Sequence, residues 1–217
     1  MRIGVLLGGC GLYDGTDVHE AVLTLLALEK AGERPTLVAP AIPQDRTIDH
    51  LSGDESPGDT RDVLRESARL ARGRIIPLSD CRPDDLQAVI IPGGYGPAVN
   101  FSTGFARPGQ TRQTIPGIEA FLRHFLAAGK PVGLVGLGEI TIRTLLGEDL
   151  DPAPPPADPR RVTIDLERRI VHTPGFVAFS RLQDVQAGIE AMVEEVLRMT
   201  ADHRPLSRHE ADAGDSP

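Results

Sequence analysis

Cysteine is scarce in this chain: of 217 residues only Cys10 and Cys81 carry thiols, and neither stands in a Cys-x-x-Cys pair or in a Cys/His cluster at zinc spacing. This excludes a disulfide scaffold and gives no metal site, and it predicts a reducing, cytoplasmic location. Runs of positive charge are also missing. No Lys or Arg run is longer than a pair and the formal net charge is -8, so there is no electrostatic footprint for nucleic acid or for an anionic membrane surface. Long apolar stretches are absent too. Met1 to Cys10 has the Arg, apolar residues and Cys of a lipoprotein signal, but its apolar part is too short for a signal core and reads as a buried first strand. No other stretch approaches a membrane span. The partner these absences leave is a small neutral or cationic molecule.

What is present is an ordinary core composition, 40% hydrophobic and 25% charged, which fits one domain over residues 1–200. The polar tail from Ala201, with His203 and His209, is expected to be disordered. Strand-like runs alternate with helical patterns, the signature of a mostly parallel sheet covered on both faces. Strands are expected at Ile3–Leu7, Thr36–Val38, Ile75–Leu78, Ala88–Ile91 and Pro131–Val135. Helices are expected at Asp17–Ala31, where Val18, Val22, Leu25 and Leu26 recur at helical spacing, at Thr60–Ala71, Ile118–Ala127 and Glu139–Leu146, and at Asp184–Thr200. Val162–Leu166 and Arg169–His172 read as a hairpin, and the proline-rich Asp151–Pro159 as an extended surface loop. Pro92-Gly93-Gly94-Tyr95-Gly96-Pro97 reads as a loop so rich in glycine that something must approach its backbone closely.

Three stretches together carry a family resemblance: Gly9-Cys10-Gly11-Leu12-Tyr13-Asp14-Gly15 with His19-Glu20-Ala21-Val22-Leu23-Thr24-Leu25-Leu26; Ile91-Pro92-Gly93-Gly94-Tyr95-Gly96 with Asn100; and Ala128-Gly129-Lys130-Pro131-Val132-Gly133. The chain resembles the ElbB-type, glyoxalase-like branch of the PfpI superfamily, within the class I glutamine-amidotransferase-like folds. The resemblance implies a flavodoxin-like three-layer α/β sandwich, often dimeric, with its site at the carboxyl ends of the central strands, where open α/β sheets bind ligands. It also implies a nucleophilic cysteine at the turn after the last central strand. Here that turn reads Val135-Gly136-Leu137. Glycine cannot attack a carbonyl, so cysteine-dependent glyoxalase or deglycase chemistry is not expected at this position. The helix that follows, Gly138-Glu139-Ile140, also lacks the family's usual proline.

Other parts of the site remain. Glu20 matches the family's carboxylic acid, which faces the elbow and is often protonated because burial disfavours its charge; its spacing from Asp17 also fits a simple helix cap. The amides of Gly93, Gly94 and Leu137 are candidate donors to an oxyanion. Cys10 is a displaced nucleophile or a pocket-lining residue, and His172 a base that reaches the pocket from a strand end. Tyr13, Asp14, Tyr95 and Asn100 are candidate rim contacts. Glu139 is explained by the helix dipole alone.

The leading expectation is a cofactor-independent lyase, isomerase or hydrolase acting on a small carbonyl-containing substrate, with Glu20 moving a proton, as a homodimer. The alternatives are a non-catalytic small-molecule binder or scaffold, and residual glyoxalase-like activity through Cys10.

Overall fold

The structure is a computed structural model that describes residues 1–105, 109–148 and 156–202. In chain order its elements are β1 (Ile3–Leu6), α1 (Val18–Lys30), β2 (Thr36–Ala39), α2 (Val63–Leu70), β3 (Ile76–Pro77), β4 (Ala88–Ile91), α3 (Tyr95–Asn100), β5 (Ser102–Thr103), β6 (Gln113–Thr114), α4 (Pro116–Ala127), β7 (Val132–Val135), α5 (Glu139–Leu146), β8 (Thr163–Asp165), β9 (Ile170–Thr173) and α6 (Leu182–Asp202). The main sheet has the order β3-β2-β1-β4-β7-β9-β8. All its pairs are parallel except β8 with β9. This is a flavodoxin-like α/β fold.

Every residue of β1, β4 and β7 is buried, as expected for parallel strands covered on both faces. Alternate side chains point to opposite faces and divide the core in two. Val5 and Ile90 pack with Leu28 of α1 and Ile189 and Val196 of α6. Leu6, Val89 and Ile91 pack with Phe121 and Phe125 of α4 and Ile142 of α5. On α1 the buried residues are Glu20, Ala21, Leu23, Thr24, Ala27 and Leu28. Of the stripe that marks this helix in the sequence, Leu25 packs partly buried against the core, whereas Val18, Val22 and Leu26 are exposed.

Most element boundaries shift for local chemical reasons. α2 begins at Val63 rather than Thr60 because the Asp62 carboxylate caps it, accepting from the Arg65 amide at 2.9 Å. α4 begins at Pro116, where a ring that lacks an N–H fits the first helical position. The glycine-rich loop is shorter than expected, since α3 starts inside it at Tyr95. Ala201 and Asp202 extend α6; the rest of the expected tail, with His203 and His209, and residues 151–155 of the proline-rich loop lie outside the described residues.

Gly133, in the middle of β7, is what lets α6 pack directly on the sheet. A Cβ there would lie 2.6 Å from Met192 Sδ and 3.0 Å from both Ile90 Cγ1 and Val196 Cγ2. Gly133→Val therefore overpacks this contact and is expected to lower unfolding stability by about 1–3 kcal/mol, read from the midpoint of urea unfolding.

Candidate active site

The sheet order reverses between β1 and β4, and the crevice at such a switch point is where open α/β sheets place their ligands. The loops leaving these two strands are held together by backbone hydrogen bonds. The Tyr95 amide donates to Leu12 O at 2.7 Å, Gly96 to Gly15 O at 2.8 Å and Asp17 to Gly93 O at 2.9 Å. Asn100 reinforces them from below: its Nδ2 donates to Gly8 O and Asp14 O, and its Oδ1 accepts from the Asp45 amide. Asn100 is thus a buried clamp between loops rather than a rim contact. Asp14 is corrected in the same way, being fully buried with its Oδ2 accepting from the Ile48 amide.

Glu20 lies in the first turn of α1. Asp17 caps that turn by accepting from the Glu20 amide at 2.9 Å. In a reciprocal capping box the glutamate would reach back to the Asp17 amide, but that amide is engaged by Gly93 O. The Glu20 carboxylate turns inward instead. Oε2 accepts from the Gly93 amide and Oε1 from the Phe176 amide, each at 2.9 Å. The residue is 2% exposed. Burial pushes its pKa up to about 7 and the nearby Asp17 charge adds to the rise, while the two N–H donors pull the other way. Burial prevails, so the carboxyl changes charge near neutral pH.

Three glycines make room for that carboxyl group. At the turn between β7 and α5, Gly136 has φ +49°, and a Cβ there would sit 2.9 Å from Glu20 Oε1 and 3.2 Å from Oε2. A Cβ at Gly93 or at Gly175 would overlap the same carboxylate. The space above Gly136 is therefore held by Glu20. Gly93 also differs from expectation, because its N–H is already engaged by Glu20. The Leu137 amide lies close by, 2.9 Å from where a Gly93 Cβ would be, and Gly94 leads into α3 as its N-cap.

Beside Gly136 opens a cavity of about 410 Å³, with Glu139, Arg143, His172, Pro174 and Val177 in its wall. His172 stands on β9 opposite Leu134. Its Nδ1 is 3.9 Å from Glu139 Oε2, and its buried Nε2 has no hydrogen-bond partner among the described residues. Burial lowers the imidazole pKa; Glu139 and the Gly136 backbone oppose this, and Arg143 adds to it. Burial thus favours the neutral ring. Glu139, explained in the sequence by the helix dipole, proves to share this wall.

Cys10 is half-buried on the α2 side. Burial raises its thiol pKa, Glu66 and Asp14 raise it further, and Arg69 and Arg61 oppose them. The raised pKa favours the thiol over the thiolate, and Cys10 is not among the residues that meet a Cβ at Gly136 or line the cavity beside it. Tyr95 is at the rim, 39% exposed, with its ring 6.4 Å from those of Tyr13 and Phe105. Among the described residues no group of three or more His, Cys, Asp or Glu is placed to hold a metal ion. No helix among them is long and apolar enough to cross a membrane. Gly175 and Phe176 are absent from the sequence-derived site. A signal for them exists, because Thr173-Pro174-Gly175 at the end of β9 repeats the strand-Pro-Gly pattern of Ile91-Pro92-Gly93.

No protein-family model matches the chain. The human protein named glutamine amidotransferase-like class 1 domain-containing protein 3, mitochondrial, is 34% identical over 92% of this chain and 83% of its own length. The rat ES1 protein homolog, mitochondrial, is also 34% identical, over 92% of this chain and 84% of its own. An isoprenoid biosynthesis protein with an amidotransferase-like domain from Ehrlichia chaffeensis has a crystal structure that superposes with a TM-score of 0.82 at 28% identity, covering 91% of this chain and 99% of that one. A ThiJ/PfpI domain protein from Brachyspira murdochii shares the fold at a TM-score of 0.50 and 15% identity, over 91% of this chain and 95% of that one. The expectation of a cytoplasmic location is overturned by these relatives, which are named as mitochondrial. Cysteine usage separates reducing from oxidising surroundings and cannot tell one reducing compartment from another. By this degree of identity over most of its length, the chain belongs to the glutamine amidotransferase-like class 1 domain proteins of the ES1 type, on a ThiJ/PfpI-like fold.

Proposed function

We propose that this chain is a small-molecule enzyme of the ElbB-type, glyoxalase-like branch that works by proton transfer at Glu20, on a carbonyl-containing substrate, without an elbow cysteine or a cofactor. The observation that carries this reading is the buried Glu20 carboxyl, pushed up to about 7 and held by the Gly93 and Phe176 amides against Gly136. A group with its pKa near working pH can both give and take a proton, and such catalysis contributes roughly 10²–10⁴ in rate. Both carboxyl oxygens already accept an N–H bond, so the acid's own proton is directed to a third atom, which a substrate carbonyl or enol oxygen supplies. With the Gly93 amide engaged, Gly94 and Leu137 are the donors left for a developing oxyanion. Lyase, isomerase and hydrolase reactions all use these parts. His172, in the wall of the adjoining cavity, is the proposed base.

A second reading, a non-catalytic binder on the same fold, is favoured by the deep burial of Glu20. Chemistry through Cys10 has less support, because its raised pKa disfavours the thiolate.

Against a panel of small 2-oxoaldehydes and keto acids, Glu20→Gln is expected to reduce kcat by roughly 10²–10⁴ and to abolish an apparent pKa near 7 in the pH–rate profile, with circular dichroism unchanged. Unchanged turnover, or no turnover by the parent chain, rejects the enzyme reading in favour of the binder. Cys10→Ala is expected to leave kcat as it is.

The same carboxyl shapes stability. Its pKa is higher folded than the ordinary 4.5, so the folded state holds the proton longer. Its contribution is greatest below pH 4.5 and is lost as pH rises to about 7, a decline of about 3 kcal/mol. Urea midpoints at pH 5 and pH 8 are expected to differ less for Glu20→Gln than for the parent chain.

We further propose a homodimer that uses the exposed Val18, Val22 and Leu26 of α1. Light scattering is expected to give about twice the 23.3 kDa chain mass, and Val22→Glu to return the chain to a monomer.

A further inference from the structure

The loop that leads from β1 to α1 rests on one imidazole. His50 Nε2 accepts from the Leu12 amide at 2.9 Å and from the Tyr13 amide at 3.3 Å, while Nδ1 donates to Ile48 O at 3.0 Å. An amide N–H donates and a carbonyl accepts, so these three contacts fix the tautomer: the proton sits on Nδ1 and the Nε2 lone pair faces two donors. This arrangement needs a neutral ring, because a proton on Nε2 would point at two N–H groups.

The same nitrogen has a second neighbour. Asp14 Oδ1 is 3.8 Å from His50 Nε2. It is buried and has no hydrogen-bond partner among the described residues, although Oδ2 of the same carboxylate accepts from the Ile48 amide. A lone pair thus faces an unpaired carboxylate oxygen, and a proton on Nε2 would turn that repulsion into a charge-assisted hydrogen bond. Gly11 keeps the path between the two clear: a Cβ there would lie 2.6 Å from Asp14 Oδ1 and 2.9 Å from His50 Nε2. The ring is 39% exposed and so exchanges its proton with solvent. The other charged or titratable groups on this side are engaged elsewhere or exposed. Asp49, on the His50 turn, accepts from the Leu51 amide, and Asp54 and Glu55 are exposed on its opposite limb. Arg61 is bound to Asp59, and both it and Cys10 feel the charge of Asp14.

What the imidazole holds is the edge of the crevice. Leu12 O accepts from the Tyr95 amide at the start of α3. The Tyr13 ring stands between those of His50 and Tyr95, at 5.2 Å and 6.4 Å. We propose that His50 is a proton-operated latch on this aromatic rim. Neutral, it holds the Leu12 and Tyr13 amides at Nε2. Protonated, its Nε2–H turns to Asp14 Oδ1, the two amides are released and the Tyr13 ring moves away from Tyr95. Imidazoles as a class change charge between roughly pH 5 and 8, so the latch is closed at alkaline pH and opens on acidification. It stands whether or not Glu20 is catalytic.

The test is NMR of the full-length ¹⁵N-labelled chain between pH 8 and pH 5. At pH 8 the His50 ring nitrogens are expected to report the Nδ1–H tautomer. On acidification the Leu12 and Tyr13 amide protons are expected to move upfield, as N–H groups do on losing an acceptor, in step with the His50 ring, and cross-peaks between the Tyr13 and Tyr95 rings to weaken. His50→Gln, which does not titrate, is expected to abolish these changes while the Gly93 and Phe176 amides still follow Glu20. Glu20→Gln is expected to leave them in place. Asp14→Asn removes the charge that receives the protonated ring and is expected to lower the midpoint by about half a pH unit or more; it serves if His50→Gln does not fold. The proposal is overturned by Leu12 and Tyr13 amides that stay fixed across the range, that move equally in His50→Gln, or that stop moving in Glu20→Gln. An Nε2–H tautomer at pH 8, an unchanged midpoint in Asp14→Asn, or Tyr13–Tyr95 cross-peaks undiminished at pH 5 also overturns it.

Discussion

The structure depends on one buried carboxylate being met by two backbone amides from distant parts of the chain. Gly93 and Phe176 are 73 and 156 residues from Glu20 in sequence. Their N–H groups are oriented by the ends of β4 and β9, two strands on either side of β7. Burying a charge is costly unless it is paired or neutralised, and here both remedies operate: two donors stabilise the anion while burial raises the pKa to about 7. The ends of these two strands are thereby tied to the first turn of α1.

That arrangement gives the glycines of the site a shared cause. Gly93, Gly136 and Gly175 each lie where a Cβ would press on the Glu20 carboxyl. Two of them, Gly136 and Gly175, also have positive φ, which side chains other than glycine's rarely adopt. Gly136 illustrates this at the turn between β7 and α5. The carboxyl group lies against its Cα, so the elbow and the acid form one packed unit.

The chemistry open to the chain follows from the same geometry. Gly136 brings no side chain to the turn after β7, and the half-buried Cys10 has its thiol pKa raised by burial and by Glu66. A carboxyl with its pKa raised to about 7 stands at the strand ends, and the His172 ring, whose pKa burial lowers and whose Nε2 has no partner among the described residues, lies in the wall of the cavity beside Gly136. The aromatic rim of Tyr13 and Tyr95 and the loop clamp at Asn100 shape the surroundings without supplying a reactive group.

Much of the fold was legible in the sequence because its signals are local. Apolar runs mark β1, β4 and β7, and Gly147 ends α5 with its φ of 71°. Glu20 and Gly136 stood out in the sequence because the stretches around them resemble a known family, and the structure brings the two into contact. What only the tertiary structure decided depends on contacts across long sequence separations: that Glu20 serves Gly93 and Phe176 rather than the helix cap, that Gly175 belongs to the same cradle, that Cys10 and Asn100 face elsewhere, and that α1 buries Ala21, Thr24 and Ala27 while leaving Val18, Val22 and Leu26 outside. Helical periodicity identifies an apolar stripe, but the packing of α6 and the strand ends determines which stripe is covered.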